Sequence, residues 1–468
     1  MGRPRRSPSA PALTRSSLPM LNPTAAPTAL RQPSPLRQEL QNRLDSLARA
    51  HRVPGAQLAL HTGAYTIGVH TGTADALTGT PFTGDTAVPL GSVTKLGTAA
   101  AVLLLADDGD LDLDEPACEL LPELRALPQV TIRHLLSHTA GLPTGPDSDS
   151  AAGTTATRYL SAVCTAQSAL FPPGTGFSYS NAGYVAAGRL VSEVTGMTWQ
   201  EALRALLLDP LGIVPAFLGD TAPARPAATG HALNTATGLV RPAHQNLAPV
   251  EAPAGALLAS AEDLMALGRA VIDRSTVLPA SVAARMRRPE PAADPGALAD
   301  SWGLGLALFR QDGRVWCGHD GNAQGTSCHL RADPDSGVVV AFTGNAGGAT
   351  ALWRDLAADL LRLTGIRVPT APATTRRGPA LPLPECAGTY RNGGTEYAVK
   401  LDGDGTPTLS VDGDCPIPLV CYPDLSCDLV DPATGRHEPG GRFHRDPATG
   451  TIDRLQISGR TARRAGAV

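Results

Sequence analysis

Ser92 and Lys95 stand three residues apart in GSVTKLGTAAAVLLL, and Lys95 is one of only two lysines in a chain that carries 37 arginines. Arginine stays protonated in proteins, whereas a desolvated lysine ammonium can release its proton and act as a base. If Ser92 opens a helix, residues i and i+3 share a face with Cβ atoms roughly 5–6 Å apart, so the amine reaches the hydroxyl. A serine hydroxyl attacks once a neighbouring base removes its proton. Lysine can be that base when burial and neighbours bring its pKa from about 10.4 toward 7–8. The competing structural reading is a lysine that merely decorates a helix face, and a four-residue pattern alone does not decide between them.

Two further patterns follow in the chain. Tyr179-Ser180-Asn181 precedes the helical pattern YVAAGRLVSEVTG, and His319-Asp320-Gly321-Asn322 lies in CGHDGNAQG. In this order, S-x-x-K, Y-x-N and an imidazole two residues before a glycine resemble the serine β-lactamase and penicillin-binding-protein superfamily, in its class C and D-aminopeptidase/esterase branch. The flanking IRHLLSHTAGLP, PGTGFSYSN, DPLGI and GALLASAEDL are similar to that family as well, and the resemblance covers roughly residues 40–365. It implies an α/β serine β-lactamase-like fold, an antiparallel sheet with a helical insert. It also implies that Ser92 is the nucleophile, Lys95 its general base and Tyr179 the proton carrier to the leaving group. Asn181 would bond the substrate amide or the lysine. His319 replaces the lysine of the lactamase K-T-G motif, and Gly321 lets substrate lie against the strand edge. The N–H groups of Ser92 and Asn322 would form the oxyanion hole, a donor pair worth about 2.7–4 kcal/mol each.

One departure from the family pattern is Asp320, where many relatives carry a small or hydroxylated residue. A carboxylate there can hold a substrate ammonium, or it can be a strand-end acid bound to backbone N–H groups. A second departure is the N-terminus. Residues 1–35 hold eight prolines, five arginines and no acid, without the apolar stretch a secretory signal needs. They read as a disordered leader, with Met20 an alternative start, and a cytoplasmic location is expected.

The remaining candidates for chemistry are weaker. His134 and His138 have the i, i+4 spacing of zinc ligands but lack the following glutamate and a third ligand, and read as structural. Asp402-Gly-Asp-Gly lacks the later ligands of a calcium loop and reads as a hairpin turn. Eight cysteines are scattered without C-x-x-C spacing, so free buried thiols are expected. The net charge of −4 comes from interspersed charges, which excludes the basic footprint of nucleic-acid binding. The longest apolar run, AAAVLLLA, is too short to span a membrane. No cofactor or metal is implied.

These residues need a scaffold, and its elements are legible in outline. Leu36, Leu40, Leu44 and Leu47 predict an amphipathic helix at the start of a catalytic domain over 36–366. VPGAQLAL and AYTIGVH predict antiparallel strands. A mostly helical stretch follows from Ser92 to about Leu208. GALLASAEDLMALGRAVI predicts another helix, capped by Ser260 with Asp263 three residues on. WGLGLALF, SCHLRAD and GVVVAFTG return to strand patterns, and LWRDLAADLLRLTG closes the domain. A Pro-rich linker over 367–384 leads to an all-β segment over 385–468 with turn signals at NGG, DGDG and DGD. It is expected to be a small, separately folded, lipocalin-like barrel that supplies no catalytic residue.

Three function classes fit the motifs: a peptide thioesterase and cyclase, a hydrolase of the D-aminopeptidase, carboxypeptidase or esterase kind, and an inactive binding relative. The retained Ser92, Lys95 and Tyr179 weigh against the last. The layout of an Arg-dominated, Ala/Pro-rich chain with a C-terminal β-domain resembles penicillin-binding-protein-type thioesterases. These release a peptide with a C-terminal D-residue from a phosphopantetheinyl carrier domain of a non-ribosomal peptide synthetase, as a ring. Capture of the peptide's own N-terminal ammonium by Asp320 suits that reading, and the hydrolase is the alternative.

Overall fold

The computed structural model describes residues 34–221, 223–234, 237–373, 378–432 and 435–466. The leader expected over 1–35 lies outside the described residues except for its last two, and so do residues 374–377 of the linker. Helix α1 (Ser34–Ala50) buries Leu40, Leu44 and Leu47 at the spacing that predicts it. Eight strands follow in two groups: β1 (Gly55–His61), β2 (Thr66–Asp75) and β3 (Thr80–Pro81), then β4 (Ser301–Trp302), β5 (Ala307–Gln311), β6 (Arg314–Gly321), β7 (Ser327–Ala332) and β8 (Val339–Gly344). They make one antiparallel sheet in the order β3-β2-β1-β8-β7-β6-β5-β4. β1 pairs with β8, Ala56 opposite Gly344, so everything between β3 and β4 is an insert.

The period-2 alternation of the strands divides two cores between the faces of the sheet. Leu58, Leu60, Val340 and Phe342 pack under α1 and α5 (Ala349–Thr364). Ala59, Val339, Ala341 and Leu330 pack on the other side against the insert. Within the insert, α2 (Thr94–Asp107) is buried on nearly every side, which its TKLGTAAAVLLLAD composition allows. It packs on α3 (Asn181–Thr195). Helix α4 (Ala261–Val271) begins later than Gly255: Leu258–Ala259 is a short strand paired with Val88–Pro89, and the helix starts after Ser260. There Ser260 Oγ accepts from Asp263 N at 3.2 Å and an Asp263 carboxylate oxygen accepts from Ser260 N at 2.8 Å, a reciprocal cap.

Beyond Gly365, which ends α5 at φ 74°, the last eight strands form a closed barrel. They are β9 (Gly388–Asn392), β10 (Thr395–Leu401), β11 (Pro407–Val411), β12 (Ile417–Cys421), β13 (Ser426–Val430), β14 (His437–Arg445), β15 (Ile452–Ile457) and β16 (Arg460–Arg464). Each strand pairs with the next, and β9 closes on β16 with Tyr390 opposite Arg464. Tyr390, Val399, Leu409, Phe443 and Leu455 fill the interior. NGG, DGDG and DGD are the turns after β9, β10 and β11. All eight cysteines are free thiols, with Cys415 exposed rather than buried. Among the described residues, no helix is long and apolar enough to cross a membrane.

The barrel expected after the Pro-rich linker is closed on itself and docks against the insert. Val368 is buried in the core beside α5, and the Pro369 carbonyl accepts from the fully buried Arg331 at 2.9 Å. Asn392 of the barrel bonds Thr144 and Ser178 of the insert. The turn between β15 and β16 packs on Phe177 and Leu298, and its Gly459 takes φ 73°, a conformation that favours glycine. A Cβ on Gly459 would lie 2.3 Å from Leu298 and 3.4 Å from Phe177.

Candidate active site

Ser92 sits in a single 3-10 turn, Gly91–Val93, that runs directly into α2. Gly91 has φ 53°, and a Cβ there would lie 2.2 Å from the Asn322 carbonyl oxygen. Gly321 at the end of β6 is equally confined, since its Cβ would lie 2.0 Å from the Leu90 carbonyl oxygen. Two glycines therefore let the Ser92 turn and the C-terminal end of β6 touch, and this brings the backbones of Ser92 and Asn322 side by side.

Lys95, in the first turn of α2, is fully buried. Its Nζ lies 3.2 Å from Ser92 Oγ, 2.9 Å from Asn181 Oδ1 and 2.8 Å from the Ala254 carbonyl oxygen. Three acceptors suit an ammonium. A neutral amine keeps all three contacts by donating to Asn181 and Ala254 and accepting the Ser92 proton. Burial depresses the Lys95 pKa well below its ordinary value; Arg460 pushes it the same way, and Glu251 opposes them. Glu251, itself buried, accepts from the Ser148 hydroxyl and, at 3.5 Å, from Tyr159.

Ser180 is the N-cap of α3, accepting from Gly183 N at 3.1 Å while its hydroxyl donates to the Pro143 carbonyl at 2.6 Å. This cap turns Asn181 toward Lys95 and leaves Tyr179 on the preceding extended segment. The Tyr179 hydroxyl is buried and faces Ser92, whose O–H would favour its ionised form, yet it has no partner at hydrogen-bond geometry. Burial nonetheless dominates and pushes its pKa up. Its ring lies 4.9 Å from Lys95 Nζ and 5.4 Å from the Arg460 guanidinium carbon. His138, one of the histidines read as structural, stacks obliquely on that ring at 4.3 Å and accepts from Ser180 N. His134 completes the cap of a short helix by accepting from Thr131 N.

His319 Nδ1 is 2.6 Å from the Asp320 carbonyl, so Nδ1 carries the hydrogen and the buried Nε2, which has no partner, presents a lone pair. Burial and then the Lys95 charge push the His319 pKa down to about 4. Asp320 is neither open nor bound to backbone N–H groups. Its carboxylate accepts from Arg331 at 2.7 and 2.9 Å and from His329 at 2.7 Å. Burial raises its pKa, but Arg331 and His329 outweigh this and hold it well below the usual carboxylate range. The side chain remains 38 % exposed, so an ionised, anchored carboxylate still meets solvent.

Two cavities flank Ser92. One, of about 310 Å³, is lined by Asn181, Gln245, Asn246, Asn322 and Gln324. Gln245 brackets the Gln324 backbone there, donating to its carbonyl at 2.5 Å and accepting from its N–H at 3.2 Å. The other, of about 350 Å³, is lined by Tyr179, His319, Asp320, Trp302, Leu298 and the barrel residues Ser458 and Arg460. The structure thus places Ser92, Lys95, Tyr179, Asn181, His319, Asp320, Gly321 and Asn322 around one point. It adds Arg460, Ser458, Trp302, His329, Arg331 and Gln245, for which the sequence carried no local signal beyond the alternation of His329 and Arg331 on one strand. Among the described residues, no group of three or more His, Cys, Asp or Glu side chains is placed to hold a metal.

A buried lysine on a serine, beside a tyrosine and a glycine-edged strand, is the arrangement of a serine hydrolase that works through an acyl-enzyme. The chain belongs to the Beta-lactamase family, which matches residues 37–362, and is a serine hydrolase of the β-lactamase and penicillin-binding-protein superfamily. It is 34 % identical over 371 residues to penicillin-binding protein 4 of Amycolatopsis lactamdurans, covering 76 % of this chain and 97 % of that one. Its fold is similar to the crystal structure of SurE, with TM-score 0.81 and 38 % identity over 92 % of this chain and 99 % of that one. SurE solved with D-Leu aligns at TM-score 0.79. The D-amino acid amidase of Ochrobactrum anthropi SV3 aligns at TM-score 0.61 and 27 % identity, covering 70 % of this chain and 99 % of that one.

Lys95→Arg keeps the charge but cannot deprotonate. Its Ser92 is expected to react at less than about a tenth of the wild-type rate, a barrier increase of roughly 1.4 kcal/mol or more, as measured by the rate of phosphonylation by a fluorophosphonate. Retention of a higher rate would make Lys95 an electrostatic holder. Because the His319 pKa falls on folding, the unfolded chain binds a proton that the folded one refuses between about pH 6.5 and 4, and stability declines as pH drops through that window. His319→Gln should show a shallower decline in urea midpoint over the same range, and an unchanged slope would contradict a neutral buried imidazole.

Proposed function

We propose that this enzyme accepts a peptidyl thioester or ester with a D-residue at the acyl position and closes it to a ring, as a stand-alone thioesterase acting in the cytoplasm beside a carrier domain of a non-ribosomal peptide synthetase. The observation that carries this reading is the ionised Asp320 carboxylate at the wall of the second cavity, with the proton-handling groups Tyr179 and His319 beside it. A cyclase must hold the peptide's own ammonium next to the acyl-enzyme, and orientation of two bound groups supplies effective concentrations no free amine reaches.

In the first step, Ser92 Oγ bonds to the acyl carbon and its proton passes to Lys95, while the N–H groups of Ser92 and Asn322 take the developing oxyanion. The bond to the carrier sulfur breaks, and Tyr179 protonates the departing atom. The acyl chain lies in the amide-lined cavity of Gln245 and Asn246. In the second step, the peptide's N-terminus, bound as an ammonium at Asp320, gives up a proton to the His319 Nε2 lone pair or the Tyr179–Lys95 pair. The amine then bonds to the acyl carbon, its second proton passes through Tyr179 and Lys95 to Ser92 Oγ, and the bond from the acyl carbon to Ser92 breaks. The D-Leu complex of SurE and the D-specific name of the amidase support a D-residue at the acyl position.

The amidase also favours a second reading, in which water enters the second cavity and the enzyme is a D-peptide or D-amide hydrolase. A linear peptidyl thioester with a C-terminal D-residue separates the two. Wild type should yield ring with little linear acid, and Asp320→Asn should still form the acyl-enzyme while shifting product toward linear acid by several-fold. Linear acid alone from wild type would establish the hydrolase, and an unchanged ratio in Asp320→Asn would remove Asp320 from amine capture.

A further inference from the structure

Tyr179 enters the site on a segment with no regular secondary structure, between Leu170 and the cap of α3. The hydroxyl of a proton carrier must meet its target to within a few tenths of an ångström, so something other than a helix or the sheet must hold this backbone. Much of what holds it comes from the C-terminal barrel. Tyr179 N donates to the Gly459 carbonyl at 2.9 Å, in the turn between β15 and β16. One residue earlier, Ser178 Oγ accepts from Thr461 N and from Asn392 Nδ2, each at 3.3 Å. Before that, the Phe177 carbonyl accepts from Thr461 Oγ1 at 2.7 Å and from Gln456 Nε2 at 3.4 Å. The insert itself contributes the His138 carbonyl, which accepts from Ser178 N, and Thr144, whose hydroxyl donates to the Tyr179 carbonyl at 3.2 Å.

Asn392 ties both sides of this seam together. It is almost wholly buried at the end of β9, its Oδ1 accepts from Thr144 N at 2.8 Å, and its Nδ2 donates to the Thr461 carbonyl at 2.7 Å as well as to Ser178. Arg460 closes the loop by donating to Thr144 Oγ1 at 3.1 Å. A turn asparagine with three bonds into two domains is more than a hairpin residue.

We propose that the barrel is a working part of the catalytic apparatus: Asn392, Thr461 and the Gly459 carbonyl are positioning groups that hold the Phe177–Tyr179 backbone so that the Tyr179 hydroxyl meets the leaving atom. This rests on Tyr179 being the proton donor in acylation. When the tetrahedral adduct collapses, the bond from carbon to the leaving atom breaks, its electron pair stays on that atom, and Tyr179 supplies the proton. Tyr179 recovers a proton from the Lys95 that deprotonated Ser92. A good leaving group departs without help, whereas a poor one needs that proton, so displacement of the donor is felt in proportion to the basicity of the leaving atom. A displacement of about 1 Å can cost on the order of 100-fold.

The test uses the full-length enzyme and aryl esters of N-acetyl-D-alanine whose leaving phenols run from p-nitrophenol to phenol, with the acylation rate measured for each. Thr461→Val and Asn392→Ala are expected to slow the phenyl ester by about 10-fold or more while the p-nitrophenyl ester stays within about 2-fold of wild type, a steeper dependence on the leaving group. Tyr179→Phe should show the same steepening and serves as the control. Thr461→Val removes only a hydroxyl, so it carries the test if Asn392→Ala fails to fold. If Tyr179→Phe steepens the dependence but the barrel variants slow all esters equally or none, the barrel is a passive neighbour and the proposal is wrong. If Tyr179→Phe leaves the dependence unchanged, Tyr179 is not the donor, and the underlying assignment fails along with the proposal.

Discussion

A lysine side chain with no contact to water is the constraint around which the rest of this molecule is arranged. Removing an ammonium from water costs several kcal/mol even after the protein relaxes, and the group answers by binding acceptors or by giving up its proton. Lys95 does the first with Asn181, Ala254 and Ser92, and is driven toward the second by burial and by Arg460. Each acceptor comes from a different piece of chain, and each piece is pinned. Asn181 is set by the Ser180 cap. The Ala254 segment is held on α2 by the bond from Thr98 Oγ1 to the Pro253 carbonyl at 2.7 Å and by Leu257 N donating to Thr94 Oγ1 at 3.0 Å. Ser92 is set by the two glycine contacts at the C-terminal end of β6.

Around this centre the charges are graded. Tyr179 lies between Lys95 and Arg460, His319 is kept neutral, and the Asp320 carboxylate at the cavity wall is held by Arg331 and His329. That pair is itself held: Arg331 Nε reaches the Pro369 carbonyl, and His329 lies flat on Trp353 at 5.2 Å with its other nitrogen 3.0 Å from Ser327 Oγ. A carboxylate so braced keeps its charge when the cavity fills, whereas an unbraced one would take up a proton as water left.

What the sequence revealed about this site was local. Ser92 with Lys95, and Tyr179 with Asn181, are short-range spacings that a helix start converts into contacts, and the Ser260–Asp263 cap is legible for the same reason. The strand patterns and hairpin turns were legible too, because alternation and turn residues report on neighbours a few positions away. The partners of Asp320 were not, since they depend on a cross-strand register that sets Asp320 opposite His329. Arg460 and Asn392 were further out of reach. Nothing in RTARR or NGG distinguishes a barrel strand end that faces solvent from one that docks on residues some 280 positions earlier in the case of Arg460, and the proline-rich composition before the barrel suggested separation. Docking runs through bonds such as those of Asn392 to Thr144 and of Thr461 to the Phe177 carbonyl, which only the folded chain displays.

The scarcity of lysine makes the central claim directly measurable. With only Lys95 and Lys400 in the chain, selective ¹³C labelling at lysine Cε yields two NMR signals, and Lys400→Arg assigns them. The account requires the Lys95 signal to titrate well below the value of about 10.4 for a solvated lysine, with the Ser92→Ala variant still showing the depressed midpoint because burial is its main cause. A Lys95 midpoint at or above the solvated value would mean that the amine stays charged through the working range, and the base assigned to Ser92 would have to be sought elsewhere.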